Sequence, residues 1–515
     1  MPRYSFKADA SFFEKITIGA IGARAVAADL DRRGHEIFEL ENGATTTKLW
    51  KDVKRKRVRI PDLVCRRCGM RVESRAKTGS AKLSMSHSTT DAERAWDYGL
   101  VDSDVVAFPV CASEQADEWA LGRLDDGISY WHERRRTGWR VQPYINYLRV
   151  EELRRTPPSR SDMKGATEGS ETTITWSAIF SNRSGVIEAI DGARVTIRRD
   201  IDGRRYTWSN RTNLPVRVRV DDHVEDGQLI AATVAPLQED DLRCPGVLAA
   251  DRIIELIASP ERTQRFTGIK LARLRGEASI ANAVAELVEH PDEDVYVRLE
   301  GAVYLARTVE GSTEQLFRPF LNSIDAQIQL EAVIALAETA NAAATRLAAE
   351  ILGDPRTPYF LRSAAAWALG QIGTDEAAGH LVNAFSDVDI SVREEALVAL
   401  DDIGHPALPV LLRTVIADEG DRAAGAAEAL RRMAPLTPDA VAQLVQAVRR
   451  RQDSPWTVWL LGNLAGLDTA VEQAIAEIQD SRPEAHFAMA VLWSFVRSWV
   501  ARRWEVHPHG RVRRE

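Results

Sequence analysis

A recurrence of about thirty residues in the second half of the chain limits its fold more than any other feature. The segments DVYVRLEGAVYLART, DAQIQLEAVIALAET, TPYFLRSAAAWALGQIG, DISVREEALVALDDIG and GDRAAGAAEALRRM superpose on Arg298, Gln329, Arg362, Arg393 and Arg422, at spacings of 31, 33, 31 and 29 residues. Each unit has room for two antiparallel helices, and Asp four residues before the aligned Arg or Gln opens the second helix in several of them. One helical pair cannot bury its apolar face alone, so the units must stack into a solenoid. Ankyrin and tetratricopeptide arrays share this period, but their TPLH turn and Trp/Gly/Tyr pattern are missing from these segments.

The units resemble HEAT repeats of the short type found in phycobilisome-lyase-like proteins, over roughly residues 250 to 480. That resemblance implies an all-α solenoid with an extended binding surface. Charge points the same way: Glu286 to Asp402 carries seven Arg, no Lys and twenty-one acids. Such a surface repels polyanions and suits a protein partner.

The N-terminal half has the opposite balance locally. Thr47 to Lys77 holds twelve Lys or Arg against Asp52, Asp62 and Glu73, although the whole chain of 515 residues has a net charge of −8. The run KLWKDVKRKRVRIPD offers Lys51, Lys54, Arg55, Lys56 and Arg57 to nucleic-acid phosphate, with Trp50 as a stacking face. Periodicity predicts a helix over Ile16 to Arg33, stopped at Gly34, then strands at His35 to Glu41, Val58 to Cys65 and Met70 to Lys77. A second helix over Thr90 to Leu100 and a buried strand over Asp104 to Cys111 complete the order helix, three strands, helix, strand.

Asp62 lies near the end of one of these strands and Glu73 on the next. Two carboxylates on neighbouring strands can hold Mg²⁺ with phosphate oxygens completing its shell, and a cation on the same face stabilises charge during phosphodiester hydrolysis. Alternation puts Glu73, Arg75 and Lys77 on one face. These residues and this element order resemble the PD-(D/E)xK nuclease superfamily. The resemblance implies that Pro61-Asp62 supplies the PD, that Asp62 and Glu73 bind the metal, and that a Lys assists the attacking water. The motif departs at its third element, where Arg75 stands two residues after Glu73 and the Lys comes four after it, at Lys77. Arg does not lose its proton at working pH, so Arg75 serves only as a fixed charge. Asp29 or Asp31 on the first helix and Glu41 on the first strand are further candidate metal ligands.

Four cysteines are too few for a disulfide scaffold and fit a reducing cytoplasm. Cys65-Arg-Arg-Cys68-Gly69 has the form of one zinc knuckle, and Cys111 and His87 are the nearby residues that complete a candidate zinc site. No signal pattern or bilayer-length apolar run is found, so neither secretion nor a membrane span is expected.

Between the two halves, Thr156 to Thr173 is rich in Pro, Ser, Gly and Thr and reads as a linker. Short alternating runs cut by Asp-Gly at 191–192, 202–203 and 226–227 then predict a small all-β barrel or sandwich. The chain thus reads as multidomain: an α/β nuclease-like domain at 1–155, a linker at 156–173, a β module at 174–245, a HEAT solenoid at 246–500 and a basic tail at 501–515. The expected function is Mg²⁺-dependent DNA cleavage with a protein partner on the solenoid, by analogy in prokaryotic defence against foreign DNA. The alternative is a non-catalytic adaptor with a nuclease-like DNA-binding domain.

Overall fold

The computed structural model describes residues 10–40, 60–113, 139–162, 171–192, 194–209, 213–309 and 312–504. The chain divides into two compact units, Met1–Arg275 and Gly276–Glu515.

In the first unit, α1 (Ala10–Arg32) leads into β1 (Ile37–Glu39), β2 (Leu63–Cys65) and β3 (Arg71–Ser74), and then into β4 (Lys77–Thr78), β5 (Leu83–Ser88), β6 (Val105–Phe108), β7 (Val110–Ser113), β8 (Trp139–Val141) and β9 (Asn146–Arg149). The main sheet has the order β1-β2-β3-β6-β9. Its first three strands form an antiparallel meander, and β6 runs parallel to β3. Val26 and Leu30 of α1 pack on Leu63, Val72, Val105, Ala107 and Tyr147, the residues that alternation turns toward one face. The opposite face carries Val106, Phe108 and Leu148, which join Leu83, Met85 and Trp176 in a second core.

Three local expectations differ from what forms. In place of the second helix, after β5, there is a single 3₁₀ turn at Ala92–Arg94. The Trp96 backbone N–H is donated to His87 Nδ1 at 3.3 Å instead of to a helical carbonyl. The Trp96 ring then packs edge-on against Trp176, with centroids 5.2 Å apart. The strand over Asp104 to Cys111 is split at Pro109, which has no N–H for a ladder, and its second half joins a separate sheet, β4-β7-β8. Part of the segment read as a linker is sheet: after α2 (Val150–Arg155), β10 (Ser159–Asp162) pairs with β11 (Glu171–Trp176), and β11 pairs with β5. The Thr-rich alternation of β11 drives this, because Ile174 and Trp176 are fully buried.

The β module comprises β12 (Ala178–Phe180), β13 (Gly185–Asp191), β14 (Arg194–Arg199), β15 (Arg205–Ser209), β16 (His223–Val224) and β17 (Leu229–Ala232). It is not a closed barrel. The sheet order is β15-β14-β13-β16, its outer strands do not meet, and β17 pairs with β12 in a two-stranded sheet. The first two Asp-Gly sites lie between hairpin strands, as expected. The third, with Gly227 at φ +86, turns the chain from one sheet to another, so no strand closes the ring. The helices α3 (Ala250–Ile257) and α4 (Arg262–Arg275) end this unit and pack against each other. Arg71 of β3 reaches α4, donating to Thr263 O at 3.0 Å and Thr267 Oγ1 at 3.1 Å, while its fork grips Asp104 at 2.7 and 2.5 Å.

The second unit is built from helix pairs: α5 (Ala281–Glu289) with α6 (Val295–Thr308), α7 (Thr313–Leu321) with α8 (Ala326–Thr339), α9 (Ala342–Gly353) with α10 (Tyr359–Ile372), and α11 (Asp375–Asn383) with α12 (Ile390–Ile403). Three more pairs follow, α13 (Leu408–Ala417) with α14 (Gly420–Arg432), α15 (Pro438–Arg449) with α16 (Pro455–Ala465), and α17 (Thr469–Ala476) with α18 (Pro483–Trp504). The second helix of each pair packs on the second helix of the next, and from α7 onward first helices also pack on first helices, so two layers run through the unit. The signature Asp is an N-cap: Asp294, Asp325 and Asp389 accept from the N–H two residues on at 2.8–2.9 Å. The residue four further on turns back, Arg298 donating to Val288 O and Gln329 to Leu321 O at the ends of the preceding helices. One motif thus satisfies a helix start and a helix end, which explains its recurrence.

Candidate functional site

Asp62 stands one residue before β2. The β2–β3 register pairs Leu63 with Val72, so the next pair along sets Asp62 across from Glu73, on one face of the sheet. Asp62 Oδ2 accepts the Ser74 N–H at 2.8 Å, which fixes this carboxylate against the end of β3. Glu73 is 6% exposed, and its Oε1 lies 2.7 Å from Arg75 Nη2.

Lys77 is on β4, held parallel to β7 through its N–H to Pro109 O at 2.8 Å. Its Nζ stands 5.8 Å from the Phe108 ring centre. Phe108 is two residues beyond Val106, the partner of Glu73, so the amine is folded onto the face that carries the acid. Burial, followed by the charges of Arg75 and Lys82, pushes the Lys77 amine down to about 8. Glu73 thus has Asp62, one fixed cation and an amine lowered to about 8 around it.

The helix and loop candidates fall elsewhere. Asp29 accepts from Tyr147 Oη at 2.8 Å and pairs with Arg32 and Arg33, and Asp31 accepts the Ile37 N–H at 3.2 Å. Both acids tie α1 to the sheet. Glu41, Trp50, Lys51, Lys54, Arg55, Lys56 and Arg57 lie outside the described residues.

Cys65 and Cys68 come together with His35 and Cys244. The four donor atoms lie within 4.8 Å of one another, the one such His/Cys/Asp/Glu group among the described residues. Cys111 is instead buried with its Sγ toward Ile18 O, and His87 is engaged by Trp96. His35 Nδ1 faces Cys68 Sγ at 3.5 Å, and its Nε2 lies 3.0 Å from Leu242 O. Cys65 Sγ accepts the N–H of Glu36 at 3.4 Å and of Cys68 at 3.5 Å. The Cys68 thiol, then His35 and the two N–H groups, hold the Cys65 thiol far below its ordinary range, while the same contact and burial raise Cys68. His35 and Cys244 were not signalled by spacing. The only trace of His35 is its place directly after the helix-ending Gly34, and Cys244 stands alone in the sequence.

The second unit presents a row of exposed apolar residues beside its second-helix N-caps. Ile324 and Val388 precede the capping Asp325 and Asp389, and Tyr359 and Ile390 open their helices. Acids recur along the same edge at Asp292, Glu293, Asp294, Asp325 and Asp389.

Residues 314–401 match the family of HEAT repeats. The match spans the helix pairs from α7 to α12, and the pairs on either side continue the same packing. A search of curated proteins returns no match to the chain. Among solved structures, human deoxyhypusine hydroxylase in complex with glycerol is similar at 16% identity, covering 44% of this chain and 99% of that one, with a TM-score of 0.22. The complex of CpcE and CpcF of phycocyanin lyase from Nostoc is similar at 18% identity, covering 43% and 94%, with a TM-score of 0.22. An engineered protein is similar at 21% identity, covering 36% and 99%, with a TM-score of 0.21. Among the described residues, no helix is long and apolar enough to cross a membrane.

Proposed function

We infer that the chain is a HEAT-repeat scaffold carrying a nuclease-like domain that hydrolyses phosphodiesters with a divalent metal. The observation that carries this reading is the Asp62 carboxylate held at the end of β3 by the Ser74 N–H, next to Glu73, in a meander of three strands whose fourth, β6, is parallel to the third. That arrangement supports the resemblance to PD-(D/E)xK enzymes. Asp62 and Glu73 would hold Mg²⁺, which supplies Lewis acidity and an activated water when bound. Arg75 steadies Glu73 as a fixed charge, and Lys77 is the group able to exchange a proton near neutral pH. The acidic, apolar-studded edge of the solenoid supports docking of a basic amphipathic protein segment. DNA is the substrate class favoured by the basic run ahead of Asp62.

The test is cleavage of linear, circular, single-stranded and branched DNA with Mg²⁺ or Mn²⁺ by wild type and by Asp62→Ala, Glu73→Ala and Lys77→Met proteins. Loss of at least about 10²-fold in the folded variants is expected from removal of a metal ligand or proton-transfer group. Equal, metal-independent inertness of all four proteins overturns the enzyme reading. It would leave the adaptor, which one observation favours: Glu73 is buried and already paired with Arg75.

A further inference from the structure

We propose that His35, Cys65, Cys68 and Cys244 bind one Zn²⁺ as a closed, structural Cys₃His site. Neither the knuckle alone nor any family match assigns these four residues together, and the inference stands whether or not the carboxylate site is catalytic.

The geometry carries it. With Zn–S of about 2.3 Å and Zn–N of about 2.0 Å, tetrahedral ligands make an S···N edge of about 3.5 Å. The Cys68 Sγ to His35 Nδ1 distance is 3.5 Å, and all four donor atoms fit within 4.8 Å. His35 Nε2, 3.0 Å from Leu242 O, is placed to donate to that carbonyl, which leaves the Nδ1 lone pair for the metal. A backbone partner on the second nitrogen is the usual support of a ligating imidazole. The N–H groups of Glu36 and Cys68 aim at Cys65 Sγ and stabilise a thiolate there. Gly69, at φ +75, takes the left-handed conformation the knuckle needs after Cys68.

The four ligands come from three separate stretches of chain. His35 follows α1, Cys65 and Cys68 frame the β2–β3 turn, and Cys244 lies on the segment leading into α3. The β1–β2 ladder and Arg66 N–H to Glu36 O at 2.8 Å already join the first two stretches, and the third is tied to them by Cys244 N–H to Arg33 O at 3.2 Å and Leu248 N–H to Arg67 O at 2.6 Å. A zinc ion would join all three at one point. Four protein donors leave no open position, so its role is to clamp and not to activate water. Three thiolates and one Zn²⁺ sum to −1, and Arg66 and Arg67 lie between the two knuckle cysteines.

The test is zinc content of the full chain purified without chelator. One Zn²⁺ per chain is expected, falling to near zero in His35→Ala, Cys68→Ser and Cys244→Ser and unchanged in Cys111→Ala. Because ligand variants can misfold, wild type is also produced with Co²⁺, where a thiolate-to-cobalt charge-transfer band and intense tetrahedral d–d bands are expected. The proposal is overturned by zinc-free protein that stays colourless with Co²⁺, by a Cys65–Cys68 disulfide in the purified chain, or by unchanged zinc in Cys244→Ser and His35→Ala.

Discussion

The two units bury their polar chemistry in different ways. In the N-terminal unit, single charged side chains join distant parts of the chain: Arg71 holds Asp104 and reaches Thr263 and Thr267, and Tyr147 bonds Asp29. In the solenoid, the buried residues are mostly Ala, Leu and Val, and N-caps and helix-end bonds recur from pair to pair, with the Arg362–Asp387 pair joining α10 to the turn before α12. Loss of one contact in the first unit therefore disconnects whole elements, whereas loss of one in the second disturbs a pair and its neighbours.

Three substitutions test that contrast. The largest effect is expected from Arg71→Met, which leaves Asp104 buried at 2% exposure without its cation. A loss of about 3–5 kcal/mol follows from stranding a buried charge, read as early unfolding of the N-terminal unit in denaturant while the helical signal of the solenoid persists. A cooperative loss of both signals would show that the units do not differ as described.

Next is Gly425→Ala on α14, whose new Cβ would sit 2.3 Å from the Phe385 ring. Overpacking costs about 1–3 kcal/mol. Adding Phe385→Leu should recover part of it, and strict additivity in the double variant would break the packing account.

The smallest effect concerns pH. Burial, with the charge of Asp402, pushes the half-buried Glu395 carboxyl up to about 7 from its ordinary 4.5. A raised acid favours the protonated folded form, so its contribution is full below pH 4.5 and fades as pH rises through 7. Solenoid stability should fall by on the order of 1–2 kcal/mol over that window, after allowance for partial solvent screening, and Glu395→Gln should flatten the curve. The same slope in the Gln variant would place the titration elsewhere.

Most of the solenoid was legible in the sequence, down to the Asp that opens each second helix in several repeats, because a repeat declares itself through neighbours about thirty residues apart. The α1, β1, β2, β3 order was legible too, with strands shorter than their apolar patterns. The absence of a helix at Thr90 to Leu100 was not, since the His87 ring takes the Trp96 N–H, a contact no periodicity encodes. Nor was the barrel's failure to close, because Asp-Gly marks a turn but not which strand receives the chain afterwards.

The candidate carboxylates divide along the same line. That Asp62 and Glu73 sit on adjacent strands follows from the short Cys65-to-Met70 turn between them. That Glu73 is engaged by Arg75, and that Lys77 is bent back over Phe108, depended on β6 and β7 lying alongside. By itself the sequence determined the repeat, its helix pairs, its acidic charge and the two-carboxylate hairpin, all set by contacts between near neighbours in the chain. Only the tertiary structure decided the open β module, the depressed amine of Lys77 and the meeting of His35 and Cys244 at the knuckle, because burial and ligand geometry arise from residues that only folding brings together.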